Sequence, residues 1–177
     1  LIRWNYFKMM YVGPQELTTK YFSSNYIPPR FDSPKVKELL VKGWFKNDVF
    51  EKILDDTHSS VLFRYCSDDA TRTRGPAIDC VVYDEVQDIQ YDQLSIIQET
   101  MAMSPYKREI FAGTPLDSTN TIHRIWLSSN QLEWMMKCKS CNHWNSLTEG
   151  NEPLQMVRPH GLSCSKCGKI ISSREGE

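Results

Sequence analysis

The chain has 177 residues, 40% apolar and 24% charged, a globular composition long enough to bury the core of about one to one and a half domains. Twenty-one basic against 22 acidic side chains leave a net charge of −1, which excludes a polycation gripping nucleic acid along its whole length, though not a local basic site. No apolar run approaches the ~18 residues of a bilayer span and no secretory pattern opens the chain, so a membrane protein, a disordered tail and a collagen-like fibre are excluded as well.

The chain starts at Leu1 rather than Met, so an excerpt of something longer is expected. Residues 7–12 (Phe-Lys-Met-Met-Tyr-Val) read as a strand stopped by Gly13-Pro14. Pro14 suits a helix start and Glu16 its first turn, which predicts a helix over 14–24. Pro28-Pro29 is expected to break the chain, and Ser33-Pro34 to open a second helix with Val36, Leu39 and Leu40 on one face. Residues 61–66 form a strand. Residues 78–83 are almost continuously apolar, the pattern of a strand buried on both faces. A helix over 91–103 carries Leu94, Ile97 and Met101 three and four apart, 109–112 is a strand, and a helix over 119–128 carries Ile122, Ile125 and Trp126. Alternating strands and helices predict an α/β domain with a mostly parallel sheet over residues 1–131. From Leu132 the chain turns rich in Cys, Lys and Asn. No internal repeat interrupts it.

The sharpest acidic feature is Cys80-Val81-Val82-Tyr83-Asp84-Glu85. A buried strand delivers two carboxylates to its carboxyl end, where open α/β sheets bind ligands. In nucleotide hydrolases this is the Walker B arrangement: the first carboxylate holds Mg²⁺, and the second orients or deprotonates the attacking water. A strand leaving through an acidic turn spells the same letters. One strand–helix unit later, Ile110-Phe111-Ala112-Gly113-Thr114-Pro115 would put a glycine and a hydroxyl beside that end, with Thr114 placed to sense a terminal phosphate. An ordinary Gly-Thr-Pro turn is the plainer alternative. Upstream, Asp68-Asp69-Ala70-Thr71-Arg72-Thr73-Arg74-Gly75 offers two arginines that either neutralise phosphate or pair with Asp68 and Asp69. Gly13 and Lys20 mimic the ends of a phosphate-binding loop, but Thr18 and Thr19 stand where its second glycine and lysine belong.

The strongest pattern is metallic. Cys138-Lys139-Ser140-Cys141 and Cys164-Ser165-Lys166-Cys167-Gly168 are two Cys-x-x-Cys knuckles separated by 22 residues. In a reducing, cytoplasm-like compartment such pairs are metal ligands rather than disulfides. Four thiolates close a tetrahedral zinc site and leave no open position, which makes the zinc structural. His143 and His160 are spare candidates, expected outside the metal shell. Lys137, Lys139, Lys166 and Lys169 offset the thiolate charge or touch a DNA backbone, with both readings open. Cys66 and Cys80 read as small buried hydrophobes.

The order of these stretches, from Asp69-Ala70-Thr71-Arg72-Thr73-Arg74-Gly75 through Val81-Val82-Tyr83-Asp84-Glu85-Val86-Gln87-Asp88, Phe111-Ala112-Gly113-Thr114-Pro115, Asn120-Thr121-Ile122, Trp126 and Glu133-Trp134 to the two knuckles, resembles a tailed-phage terminase large subunit. The resemblance covers residues 11–171. It implies a sheet of the P-loop NTPase type, incomplete because the phosphate loop is missing, followed by a zinc ribbon over 132–171 and a tail over 172–177. It further implies that Asp84 coordinates Mg²⁺ on ATP, that Glu85 activates water, and that Gly113 and Thr114 belong to a motif coupling hydrolysis to movement. Arg74 would reach a neighbouring subunit's ATP.

The implied partners are double-stranded DNA, the portal protein and the terminase small subunit, with the full-length protein a homo-oligomeric ring in the cytoplasm of the infected bacterial host. The phosphate loop would lie before Leu1 and a nuclease domain after Glu177, leaving the excerpt alone inactive. A helicase-like DNA translocase, or a non-enzymatic zinc-ribbon adaptor on an α/β scaffold, would explain parts of the same pattern.

Overall fold

A computed structural model describes residues 4–38, 43–66, 68–147 and 155–172. The chain divides into two compact units, Leu1–Ser128 and Ser129–Glu177.

In the first unit, β1 (Lys8–Gly13) is followed by α1 (Glu16–Tyr21), a π-helical turn (Phe22–Tyr26), α2 (Ile27–Phe31) and α3 (Pro34–Lys37). A hairpin of β2 (Trp44–Asn47) and β3 (Glu51–Leu54) leads into β4 (Ser60–Tyr65). After a 3₁₀ turn (Thr71–Thr73) come β5 (Cys80–Tyr83), α4 (Gln93–Gln98), β6 (Arg108–Phe111) and α5 (Thr121–Ser128). The six strands form one sheet in the order β2-β3-β4-β1-β5-β6. The pairs β1–β4, β1–β5 and β5–β6 are parallel, whereas β2 and β3 run antiparallel at one side. The predicted α/β class with a mostly parallel sheet is therefore the observed one.

Alternation along β1 explains why both faces are covered. Met10 and Val12 join Val81, Tyr83, Leu94, Ile97 and Met101 in the larger core cluster. Tyr11 faces the other way, onto Phe63 and Val61, where Phe22 and Ile27 pack against it. Cys66 and Cys80 are buried, as expected of small apolar side chains, and burial pushes the Cys66 thiol up to about 11. At the amino ends of the strands Asp79 acts as a staple. Its carboxylate accepts the Lys8 N–H (2.9 Å) and the Ser104 hydroxyl (2.6 Å).

Two expectations change, and one hairpin was not expected. Pro28 and Pro29 do not break the chain: they occupy the first turn of α2, where a missing N–H costs no helical hydrogen bond. The hairpin of β2 and β3 is absent from the sequence reading, because Lys46, Glu51 and Lys52 interrupt its apolar pattern. Lys52 is nevertheless buried, donating to Asn47 Oδ1 (2.6 Å) and the Asp48 carbonyl (3.2 Å), and burial lowers its pKa. The predicted helix over 91–103 is also shorter than expected and closes with a 3₁₀ turn at Glu99–Met101. Leu39 and Leu40 lie outside the described residues, as does all of the 172–177 tail but Ser172.

The second unit holds two small antiparallel pairs, β7 (Met135–Lys137) with β8 (Trp144–Ser146) and β9 (Val157–Arg158) with β10 (Gly161–Leu162). Its core is Met136, Met156, Ile171, Cys138 and Cys164. Among the described residues no helix is long and apolar enough to cross a membrane.

Candidate functional site

Strand register builds the acidic site. Tyr11 pairs with Val82, and Tyr83 pairs with Phe111, so β5 ends between the ends of β1 and β6. Asp84 lies two residues beyond Val82, on the same sheet face as Tyr11. The Tyr11 hydroxyl donates to Asp84 Oδ2, while Oδ1 takes no hydrogen bond among the described residues. The Tyr11 ring is held by stacking on Phe22, with centroids 4.6 Å apart and planes 7° apart. Burial, followed by the Asp84 carboxylate, raises the tyrosine pKa, which keeps its hydroxyl a donor.

Glu85 has a left-handed backbone (φ 49°, ψ 47°), a conformation of order 1–3 kcal/mol uphill for a residue other than glycine. Hydrogen bonds on both sides impose it. The Asp84 N–H donates to the Val12 carbonyl on β1 (2.9 Å), and the Val86 N–H donates to the Ala112 carbonyl past β6 (3.0 Å). The chain switches partner strands at Glu85, and the turn throws that carboxylate outward. There the Gln87 amide donates to Glu85 Oε2 (2.6 Å) and accepts the Thr114 N–H (3.1 Å). Asp84, Glu85, Gly113 and Thr114 are thus brought to one edge.

A cleft of ≈ 580 Å³ opens there, walled by Leu17, Tyr21, Phe22 and Tyr26 with Asp84 and Glu85 on its floor, a volume suited to a small ligand. Arg74 is elsewhere. It lines a separate cleft with Pro76, Ile96, Glu99 and Met103. Arg72 lies over the Tyr65 ring (4.7 Å) and approaches Glu16 (3.8 Å). Asp69 accepts the Thr71 N–H (2.8 Å) and closes its own loop.

In the second unit the ligand atoms of Cys138, Cys141, Cys164 and Cys167 all lie within 4.8 Å of one another. Cys138 Sγ is 3.6 Å from Cys167 Sγ, and Cys141 Sγ is 3.6 Å from Cys164 Sγ. Four sulfurs at ~2.3 Å from one tetrahedral ion would be ~3.8 Å apart, so the donor set fits zinc. The knuckles are built alike. Asn142 and Gly168, each just after the second cysteine, have positive φ and donate their N–H to the carbonyls of Cys138 (2.8 Å) and Cys164 (2.9 Å). The N–H groups of Cys141 and Ser140 lower the Cys138 pKa, whereas burial and the neighbouring sulfurs raise that of Cys141. His143 and His160 stand outside the four-sulfur cluster, against Ser165 (3.1 Å) and Ser163 (3.2 Å).

Three residues were not singled out from sequence. Tyr11 and Gln87 act through partners 73 and 27 positions away, and no local pattern reports such a distance. Asn145 is fully buried between the knuckles. Its amide donates to the Met136 carbonyl (3.0 Å), and Oδ1 accepts the Ser165 N–H (2.9 Å). A buried asparagine beside a Cys-x-x-Cys pair was the available signal.

The open, mostly parallel sheet is of the α/β class, whose members commonly bind ligands at the carboxyl edge, where this chain carries two carboxylates and a Gly-Thr loop. A family model described as phage terminase large subunit gpA, ATPase domain, matches residues 2–177, and the chain belongs to that family. The fold is similar to that of the HK97 bacteriophage large terminase in its crystal structure, with a TM-score of 0.55 at 12% identity over 71% of this chain and 26% of that one. The chain therefore spans only part of that terminase's length. No curated protein matches the sequence.

Asn145→Ala removes the side-chain hydrogen bonds to the Met136 carbonyl and from the Ser165 N–H, each worth about 0.5–1.5 kcal/mol. Thermal unfolding of the second unit should fall measurably while far-UV signatures of the α/β unit stay. An unchanged unfolding profile would refute a bridging role for this side chain.

Proposed function

We propose that the first unit is part of the ATP-hydrolysing engine of a terminase large subunit, which drives double-stranded DNA into a viral capsid. The observation that carries this is the convergence of Asp84, Glu85 and the Gly113-Thr114 loop at the carboxyl edge of β5 and β6, in a chain matched by the terminase ATPase family over residues 2–177.

Asp84 fits Mg²⁺, because a carboxylate with one oxygen steadied by Tyr11 and the other without a hydrogen bond among the described residues is a hard, oriented oxygen donor. When bound, the ion offsets the charge that builds on the phosphates. Glu85 accepts a proton from water, and its left-handed backbone presents the carboxylate to the open edge. Thr114, tied to the acidic turn through Gln87, would sense a terminal phosphate. Arg74, in its separate cleft, serves a neighbouring subunit's nucleotide in a homo-oligomeric ring. Residues 1–177 contain no phosphate-loop motif, so this stretch alone is not expected to turn over ATP. The portal protein and terminase small subunit are the proposed partners, and the host cytoplasm the proposed place of work.

In the second unit Cys138, Cys141, Cys164 and Cys167 hold structural zinc, and its module is a zinc ribbon. The metal would fix the two chain turns that carry the cysteines, beside the buried Met136, Met156 and Ile171.

The functional reading is tested in a longer terminase carrying this region. Asp84→Asn should weaken Mg²⁺-dependent nucleotide binding, because it removes charge beside the metal. Glu85→Gln should leave binding nearly intact and abolish hydrolysis. Equal loss of binding in both variants would contradict the division of roles. For the ribbon, metal analysis should find about one zinc per chain. Chelation should unfold the second unit, and a metal-free unit that stays ordered would sink the zinc assignment.

A further inference from the structure

The contacts of Gln87 have a feature that neither the acidic pair nor the Gly-Thr loop contains alone. One amide group spans both. Its Nε2 donates to Glu85 Oε2 (2.6 Å), and its Oε1 accepts the Thr114 N–H (3.1 Å). The orientation of the amide is fixed by chemistry: an ionised carboxylate only accepts and a backbone N–H only donates, so a flipped amide would face acceptor to acceptor and donor to donor.

The space for this bridge is cut to size. A Cβ at position 113 would lie 2.2 Å from Gln87 Oε1 and 3.2 Å from the Val86 backbone nitrogen. Only glycine lets the loop approach the amide this closely. The backbone repeats the link one residue away, where the Val86 N–H donates to the Ala112 carbonyl (3.0 Å). Glu85 is exposed and left-handed between these ties. Without a partner its carboxylate would spread over several rotamers, with a corresponding loss of aim.

We propose that Gln87 is a positioning residue that locks the Glu85 carboxylate to the Gly113-Thr114 loop, so that any displacement of Thr114 re-aims Glu85. This rests on the role given to Glu85 above. It adds a specific physical connection: occupancy of the nucleotide site, felt at Thr114, is transmitted to the water-activating group through one side chain. A glutamine that merely closes the turn at residues 84–88 would act only through its hold on Thr114.

The two halves of the amide separate these roles. In a longer terminase carrying this region, Gln87→Met keeps the length and loses both hydrogen bonds. Gln87→Glu keeps the acceptor for Thr114 but turns the donor facing Glu85 into a like charge. Steady-state ATP hydrolysis and MgATP affinity are measured for both variants and for wild type, with melting temperatures confirming folded protein. The expected result is a fall in kcat of about 10²-fold in each variant, the scale of misplacing a catalytic group by an ångström, with KM and Kd within about twofold of wild type.

A Gln87→Glu variant with wild-type kcat would overturn the proposal, because the acceptor half alone would then suffice. A loss confined to KM would overturn it too, since that describes nucleotide binding rather than the aim of Glu85. A wild-type protein that binds no MgATP would instead overturn the proposed function itself. An active wild type with an equally active Gln87→Met would remove the bridge alone.

Discussion

The parallel pairing of β5 between β1 and β6 is the constraint on which the candidate site depends. Its register sets Tyr83 opposite both Val12 and Phe111. One residue past that row Asp84 still donates its N–H to β1, and two residues further the Val86 N–H has gone over to the β6 side. Glu85 sits at the crossing and takes up the difference as a left-handed turn. The two carboxylates thereby receive different surroundings from one backbone event. Asp84 turns toward a buried tyrosine and is half-buried, whereas Glu85 is exposed and aimed by an amide. Two carboxylates in unlike environments are what a division between metal binding and water activation needs.

Packing supports that geometry from both faces of the sheet. The Tyr11 ring, whose hydroxyl reaches Asp84, packs in a triangle with Phe22 and Phe63. The π-helical turn at Phe22–Tyr26 is what swings Phe22 over it, a local departure of the kind that collects at functional sites. On the opposite face the Tyr83 ring stacks on Phe111 at 4.7 Å, and its hydroxyl donates to Glu109 (3.0 Å), tying β5 to β6 beside the same edge. Aromatic contacts thus hold the register from which the acidic residues project. The described part of the second unit is organised differently, around four clustered sulfurs, a small group of buried apolar residues and the buried Asn145 amide.

Sequence made the parallel core legible because buried parallel strands are short, apolar and nearly uninterrupted, as residues 78–83 are. The four cysteines were legible because metal geometry forces a spacing. The charged strands β2 and β3 were not, since their lysines and glutamate are admitted only by pairing that the local pattern does not reveal. Pro28-Pro29 misled for a related reason: proline ends one helix and begins another, and only the preceding π turn decides which. Within the site, Asp84 and Glu85 announced themselves by type and position on a strand. Gln87 lay inside the same stretch without a role, because its meaning comes from Thr114, 27 residues on. Sequence carries the chemistry of a site more openly than the contacts that orient it.

The central claim is that the carboxyl edge of β5 and β6 is where a metal–nucleotide complex binds. Paramagnetic broadening of backbone amides by Mn²⁺, added with a non-hydrolysable ATP analogue to a longer terminase carrying this region, locates that complex directly. The account predicts the strongest broadening at Asp84, Glu85, Gly113 and Thr114, and its disappearance in Asp84→Asn. Broadening centred elsewhere in the first unit, or at the four cysteines, while the analogue is bound would contradict it.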